Sequence, residues 1–360
     1  MAETSLDRDA AVAPGPRHAH GGPVGSGAIR VRPEDFCVIE DVGYGPSGEG
    51  EHLWLEIEKR GMNTVDVAQR LARLADVPVR SVGFGGLKDR NAVTRQPFSI
   101  QIPGREDPDW SAWSDDSMRV LEANRHQRKI QRGRLAGNRF ELIVRELEGD
   151  RIELEERLRR IAELGVPNGF GEQRFGGNNI ARAHRLFRGE LRRKPSKSKR
   201  GFYLSAARSL IFNQVLERRI LDETWNRVID GEIVMLDGTR STFAADAGDP
   251  DIQARCKAQD LHPTGPMVGE GESEASGAVA ELEREVIDQQ RELAEGLAKF
   301  RLNTERRPLR MRVIDLEWEF EGDSALALRF SLRSGCYATA VLREILEYRD
   351  ASQGKSVNGE

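Results

Sequence analysis

The residues best suited to chemistry gather in one short stretch, Gly85-Gly86-Leu87-Lys88-Asp89-Arg90-Asn91-Ala92-Val93-Thr94-Arg95-Gln96. Adjacent glycines let a backbone take positive φ or come close to a ligand. Asp89 lies between Lys88 and Arg90, and cations on either side favour an ionised, nucleophilic carboxylate. The same composition also fits an exposed turn whose charges are merely solvated. A second stretch, Arg125 to Phe140, carries Arg125, Arg128, Lys129, Arg132, Arg134 and Arg139 with no acid among them. Cations of this kind track a phosphate backbone, an aromatic such as Phe140 stacks on an unpaired base, and Asn138 could hydrogen-bond a base edge. A solvated basic face followed by a turn and a core phenylalanine would look the same. A further basic cluster, Arg188, Arg192, Arg193, Lys194, Lys197, Lys199 and Arg200, is interrupted only by Glu190 and fits RNA contact or a flexible loop equally well.

Other catalytic patterns are missing. The sequence has no phosphate-binding loop signature, no H-E-x-x-H and no G-x-S-x-G, and Gly83 to Gly86 lacks the spacing of a dinucleotide fingerprint. Six histidines are scattered, with His18 and His20 in an Ala/Gly/Pro-rich start where no partner is expected. That leaves carboxylates, cations and aromatic rings. A carboxylate-dependent hydrolase would need a second positioned carboxylate, for which Glu34 is the candidate. Phe36 and Tyr337 are each as consistent with core packing as with ligand contact.

The elements that must position these groups follow from periodicity. Ala28 to Ile39 reads as a strand reaching a Pro33-Glu34-Asp35 turn. His52 to Lys59 is a strand with Leu53, Leu55 and Ile57 on one face. A helix is expected from Asn63 or Thr64, with Val67, Leu71 and Leu74 on its apolar side. Val82 to Phe84 and Phe98 to Ile102 flank the glycine-bearing loop. Phe140, Leu142 and Val144 mark a strand opened by a Gly137-Asn138 turn. Arg151 to Leu164 is a helix with Asp150 as N-cap, stopped by Gly165 and Pro167. From 165 to about 307 alternation is sparse, with a helix over Ser205 to Leu221, an acidic linker at Gly269 to Gly277 and a long polar helix from Ala278 to Phe300. A hairpin pairs Leu316, Trp318 and Phe320 with Leu326, Leu328 and Phe330, and a helix over Thr339 to Tyr348 follows. This pattern predicts an α+β domain interrupted by an insertion.

Bulk properties bound the answer without naming it. The chain has 360 residues, 38% of them hydrophobic, with 55 basic and 59 acidic side chains for a net charge of −4. No apolar run approaches membrane-spanning length, which reads as a soluble protein with no membrane association. Cys37, Cys256 and Cys336 are widely separated, which fits a reducing cytoplasm and argues against a structural zinc.

The loop Gly86 to Thr94 closely resembles the catalytic loop of the TruD family of tRNA pseudouridine synthases. Arg32-Pro33-Glu34-Asp35-Phe36, Gly48 to His52, Gly133 to Phe140, Gly165 to Asn168, Phe170 to Gly176, Leu204 to Ser209, Pro263 to Pro266 and Tyr337-Ala338-Thr339 with Arg343-Glu344 match further family motifs in order. The resemblance implies a pseudouridine-synthase catalytic domain, a mixed and largely antiparallel sheet with flanking helices, over 28–164 and 308–350. It implies an inserted α/β TRUD domain over 165–307, and the chain ends, 1–27 and 351–360, are expected to be disordered tails. It implies isomerisation of uridine to pseudouridine at position 13 of tRNA, with tRNA as the partner, no obligate protein partner, no cofactor and no metal. Asp89 is then the nucleophile, with Arg30 as a supporting cation where the family usually has lysine. Phe36, Asn138, Phe140, Tyr337, Glu34 and Lys88 become substrate-binding residues, Tyr337 replacing the usual phenylalanine. Arg125, Arg128, Lys129 and Arg132 are expected on the RNA backbone.

Overall fold

The computed structural model describes residues 15–352. The chain divides into two compact units. One comprises Pro23–Ala162, Val313–Ala338 and the chain from Ile345 onward; the other comprises the chain up to Gly22, Glu163–Arg312 and Thr339–Glu344.

The first unit begins with β1 (Gly25–Ile29), β2 (Phe36–Asp41) and β3 (His52–Lys59), followed by α1 (Thr64–Leu74). It continues through β4 (Val82–Phe84), β5 (Val93–Gln101), β6 (Met118–His126), β7 (Gly137–Gly149) and α2 (Arg151–Leu164). Leu53, Leu55 and Ile57 of β3 are buried against Val67 and Leu71 of α1, as their spacing requires. Asn63 and Asp66 form a reciprocal capping box at the start of α1. Asp150 caps α2, accepting from the backbone of Ile152 at 2.8 Å and Glu153 at 3.0 Å.

The second unit carries β8 (Val166–Pro167), α3 (Asn179–Phe187), α4 (Lys197–Leu221), β9 (Ile233–Leu236), β10 (Thr242–Ala244) and α5 (Pro250–Lys257). After these come β11 (Leu261–Met267), α6 (Gly277–Gln289), α7 (Arg291–Lys299), β12 (Glu305–Pro308) and β13 (Arg310–Met311). Its core is the buried side of α4, with Ala206, Ile211, Phe212 and Val215, packed with Leu293 and Leu297 of α7. A four-stranded sheet in the order β10-β9-β11-β12 accompanies it.

The last elements are β14 (Ile314–Glu321), β15 (Ala325–Arg333), α8 (Ala338–Ile345) and β16 (Glu347–Asp350). They complete a ten-stranded sheet in the order β14-β15-β7-β2-β5-β3-β6, with β1 joining β7 to β16 and β4 added to β5. Only β2 with β5 and β1 with β16 run parallel; the rest of the ladder is antiparallel. This is the mixed, largely antiparallel α+β arrangement anticipated. Among the described residues no helix is long and apolar enough to cross a membrane.

Several local expectations fail for identifiable reasons. Gly137-Asn138 is no turn but the start of β7, where a Cβ on Gly137 would lie 2.3 Å from the Leu332 carbonyl oxygen; the glycine is there for close strand approach. β5 begins five residues before the expected Phe98, because Thr94 and Gln96 are buried polar residues that break the apolar alternation. The long polar helix is two, broken at Gln290, and α4 begins eight residues early because its first turns are polar. The closing helix stops at Ile345, and Glu347–Asp350 pairs with β1 instead. Residues 15–27 are no disordered tail. His20 is buried, its Nε2 lies 2.8 Å from the Gly165 carbonyl, and its ring packs edge-on against Trp225. His18 lies 3.5 Å from Glu344. The remaining tail expectations, 1–14 and 353–360, fall outside the described residues.

Candidate active site

The period-two geometry of the sheet brings the singled-out residues to one face. Phe36, Val38 and Glu40 of β2 stand opposite Leu142, Phe140 and Asn138 of β7, and Phe330 and Leu332 of β15 continue the row. On the other side Thr94 pairs with Val38, and Lys59 with Thr94. Phe36 takes its place from the preceding turn, where buried Asp35 accepts the Arg32 backbone N–H at 2.9 Å and a two-pronged contact from Arg145 at 2.7–2.9 Å.

A platform of aromatic rings, buried in this structure, lies on this face. Phe140 stacks with Phe330 at 5.4 Å and meets Phe36 edge-on at 6.4 Å. Each such pair contributes about 0.5–1.5 kcal/mol beyond its burial. The guanidinium of Arg30 sits 3.9 Å above the Phe36 ring. Arg30 reaches Asp89 Oδ2 at 3.2 Å and Asp350 Oδ2 at 2.6 Å, with only 11% of its side chain exposed. Its φ of 54° is left-handed, which costs a non-glycine residue on the order of 1–3 kcal/mol. A glycine there would be relaxed but could not hold the carboxylate. Asp89, 42% exposed, also accepts the Asn91 backbone N–H at 2.9 Å on Oδ1. The nucleophile candidate is thus oriented from below and open from above.

The loop that carries Asp89 is fastened from three sides. Glu40, fully buried, accepts the Gly86 N–H at 3.0 Å and the Lys88 ammonium on the same oxygen. Thr64 Oγ1 accepts the Lys88 N–H at 2.9 Å and donates to Gln96 at 3.0 Å, while Gln96 Nε2 donates to the Gly86 carbonyl at 3.1 Å. Lys59 donates to the Asp89 carbonyl at 2.9 Å. Neither Gly85 nor Gly86 is left-handed. A Cβ on Gly85 would lie 2.5 Å from Glu40 Oε1, and one on Gly86 2.8 Å from Oε2. The glycine pair therefore admits the Glu40 carboxylate rather than a turn.

Burial pulls the Lys59 amine down to about 8 from its ordinary value, against the attraction of Asp89 and with the help of Lys88. Between about pH 8 and pH 10.5 the folded protein therefore holds fewer protons at Lys59 than the unfolded chain, so this group's contribution to stability rises with pH. The ammonium at the Asp89 loop is lost over the same rise. We expect the single-turnover rate to decline above about pH 8. Lys59→Met, uncharged and close in volume, should lack that limb and stay near the wild-type alkaline value. An unchanged limb in Lys59→Met would assign it to another group.

Four buried polar atoms around the platform find no hydrogen-bond partner among the described residues: Arg30 Nε, Glu40 Oε1, Thr94 Oγ1 and Asn138 Oδ1. Unpaired buried groups are costly and uncommon, and a cluster of them beside an open carboxylate is the arrangement a polar ligand would complete.

Not every expected residue joins the site. Lys88 is 7% exposed and spent on Glu40, so it supports the loop instead of facing a substrate. Arg125 is likewise structural; it pairs with Asp107 at 2.5 Å and donates to the Arg105 carbonyl at 2.7 Å. Glu34 is half-exposed and paired with Arg60, with no link to Asp89 that would make a two-carboxylate site. Tyr337 is 46% exposed and follows β15, whose Leu332 stands opposite Asn138. Arg128, Lys129 and Arg132 are exposed; Lys129 reaches the Arg80 carbonyl and Arg132 lies 4.6 Å over Phe84. Sequence reasoning passed over Glu40 and Lys59. The one available signal was a charge in each strand at a position that periodicity assigns to the core.

A family model described as tRNA pseudouridine synthase D (TruD) matches residues 19–193 and 187–345. The chain belongs to the TruD family. Its similarity to curated TruD relatives extends over nearly its whole length. It is 49% identical over 332 residues to a tRNA pseudouridine synthase D of Methylococcus capsulatus, covering 92% of this chain and 94% of the relative. It is 45% identical to that of Ectopseudomonas mendocina, covering 94% and 96%. A crystal structure from Methanosarcina mazei, described as a proposed TruD, superposes with a TM-score of 0.72 at 23% identity, over 91% of this chain and 95% of that one, which supports the TruD fold.

Proposed function

We propose that the chain is a tRNA pseudouridine synthase that isomerises uridine to pseudouridine at position 13 of tRNA, with Asp89 as nucleophile. The observation that carries this reading is the Asp89 carboxylate held 3.2 Å from Arg30, which itself lies on the Phe36 ring of the aromatic platform. In the reaction the N1–C1′ bond breaks, the uracil turns, a C5–C1′ bond forms, the C5 proton leaves and N1 gains one. Atoms and electrons balance without a redox partner, so no redox cofactor is required. A stacked uridine must first leave its helix. Phe36 and Phe140 then pack against the flipped base and keep water from the open ribose. Uracil offers one N–H donor and two carbonyl acceptors, which the unpaired atoms of Asn138, Glu40, Thr94 and Arg30 can complement. A carboxylate at this place reaches the nucleotide whether it attacks C1′ or C6 or takes a ribose proton.

On this reading the sheet unit is the catalytic domain and the helical unit is the inserted TRUD domain. The partner is tRNA, and the compartment is the cytoplasm, in keeping with three cysteines well separated in the sequence. Incubating the purified protein with an unmodified tRNA transcript and mapping the product is the test. Pseudouridine at position 13 is expected; release of free uracil would identify a hydrolase instead.

Arg128 and Lys129 are assigned to the phosphate backbone. The double substitution Arg128→Glu, Lys129→Glu should weaken all tRNAs alike, with a shallower salt dependence, by about 0.9 in slope for each phosphate that is no longer neutralised. The rate at saturating enzyme should hold. Equal affinity and slope in the variant would leave these cations as a solvated face.

A further inference from the structure

We propose that the second unit contains a separate nucleotide-binding concavity, formed by the Gly176-Gly177 turn, Arg182 of α3, and Lys199 and Phe202 of α4, that takes one unpaired nucleotide of an RNA strand. The concavity measures about 320 Å³, and Asn178, Asn179 and Tyr203 complete its lining.

Phe202 is the starting point. It lies in the second turn of α4 with 60% of its surface exposed, so it gives the core almost nothing. A lone exposed ring on a surface calls for no explanation. This one has company. Lys199 precedes it by three residues and so shares its side of the helix, and it is exposed. Arg182 reaches the same place from α3, its guanidinium 3.3 Å from the hydroxyl of Tyr203, whose buried ring fixes the two helices together at that point. From Leu191 to Leu216 the chain has no Asp or Glu, while Arg192, Arg193, Lys194 and Lys197 stand exposed before and at the start of α4. The start of α4 and the chain leading into it therefore suit an anion.

The backbone opposite the ring is shaped for close approach. Gly176 and Gly177 take left-handed φ of 49° and 63° in succession. A Cβ on Gly177 would meet nothing within 4 Å, so the turn leaves open space where any larger residue would project. A ring, two cations and an open glycine turn match the two halves of a nucleotide: a flat base that stacks on Phe202, and a phosphate met by Lys199 and Arg182. Stacking needs an unpaired base and tolerates any base, so this is a grip on strand and shape without sequence readout.

The inference rests on the tRNA reading above and adds a contact remote in sequence from Asp89. Phe202→Ala, Phe202→Tyr and Lys199→Ala are compared with wild type for affinity toward unmodified tRNA, its salt dependence, and the single-turnover rate at saturating enzyme. Phe202→Ala should weaken binding roughly 5- to 150-fold. Phe202→Tyr, which keeps the ring, should bind as wild type does. Lys199→Ala should lower the salt slope by about 0.7–0.9. The saturated rate should be unchanged in all three. Binding by Phe202→Ala within about twofold of wild type would overturn the inference, as would a loss of saturated rate as deep as the loss of affinity. A wild-type protein that makes no pseudouridine would instead overturn the functional reading, so the two failures are told apart.

Discussion

Asp89→Asn should abolish pseudouridine formation while leaving tRNA binding intact. The amide is nearly isosteric, so it still accepts from the Asn91 N–H and fills the same space. What disappears is the charge that faces Arg30 at 3.2 Å and the oxygen that would react. Removing a group that acts chemically in a preorganised site costs four or more orders of magnitude in rate, whereas uniform binding is untouched. The single-turnover rate should therefore fall by at least roughly 10⁴-fold, with the dissociation constant for tRNA within a few-fold of wild type. Loss of binding in parallel with rate would make Asp89 a recognition residue instead.

The second large effect is expected at Glu40, whose side chain is fully buried against the loop that carries Asp89. Glu40→Gln keeps an acceptor for the Gly86 N–H but leaves the Lys88 ammonium buried without its counter-charge. Breaking one side of such a pair typically costs about 3–5 kcal/mol. Part of that loss should appear as a lower melting temperature, and part as a loosened Asp89 loop and a slower reaction. Glu40→Gln combined with Lys88→Met removes the charge from both sides and should regain much of the stability. The rate should stay low, because the Lys88–Glu40 ion pair that fastens the Asp89 loop has gone. A double variant with both stability and rate restored would reduce the pair to a structural one.

The sequence made much of this site legible, and the reasons are local. The Asp89 loop, the Pro33–Asp35 turn and the alternation in β3 are fixed by residue type and by neighbours a few positions away. So are the caps of α1 and α2. What was missed depends on register between distant strands. Glu40 meets Asn138, and Thr94 meets both Val38 and Lys59, only because β2 lies between β7 and β5 and β5 between β2 and β3. No window of sequence carries that order. Lys88 was expected on the substrate and Arg125 on the RNA backbone; their partners, Glu40 and Asp107, lie 48 and 18 residues away and could not be guessed from spacing. The glycine pair was read as allowing positive φ or close approach to a ligand, and it is a carboxylate from another strand that comes close.

The family match and the geometry converge on a reaction that must expel the hydrogen at uracil C5, since that position exchanges a C–H bond for a C–C bond. The most direct measurement is tritium release from tRNA carrying 5-tritiated uridine. Wild-type protein should release one tritium per pseudouridine formed, all of it from position 13, and the Asp89→Asn protein should release none above background. Undiminished release by Asp89→Asn, or no release by wild type from any tRNA offered, would contradict this mechanism.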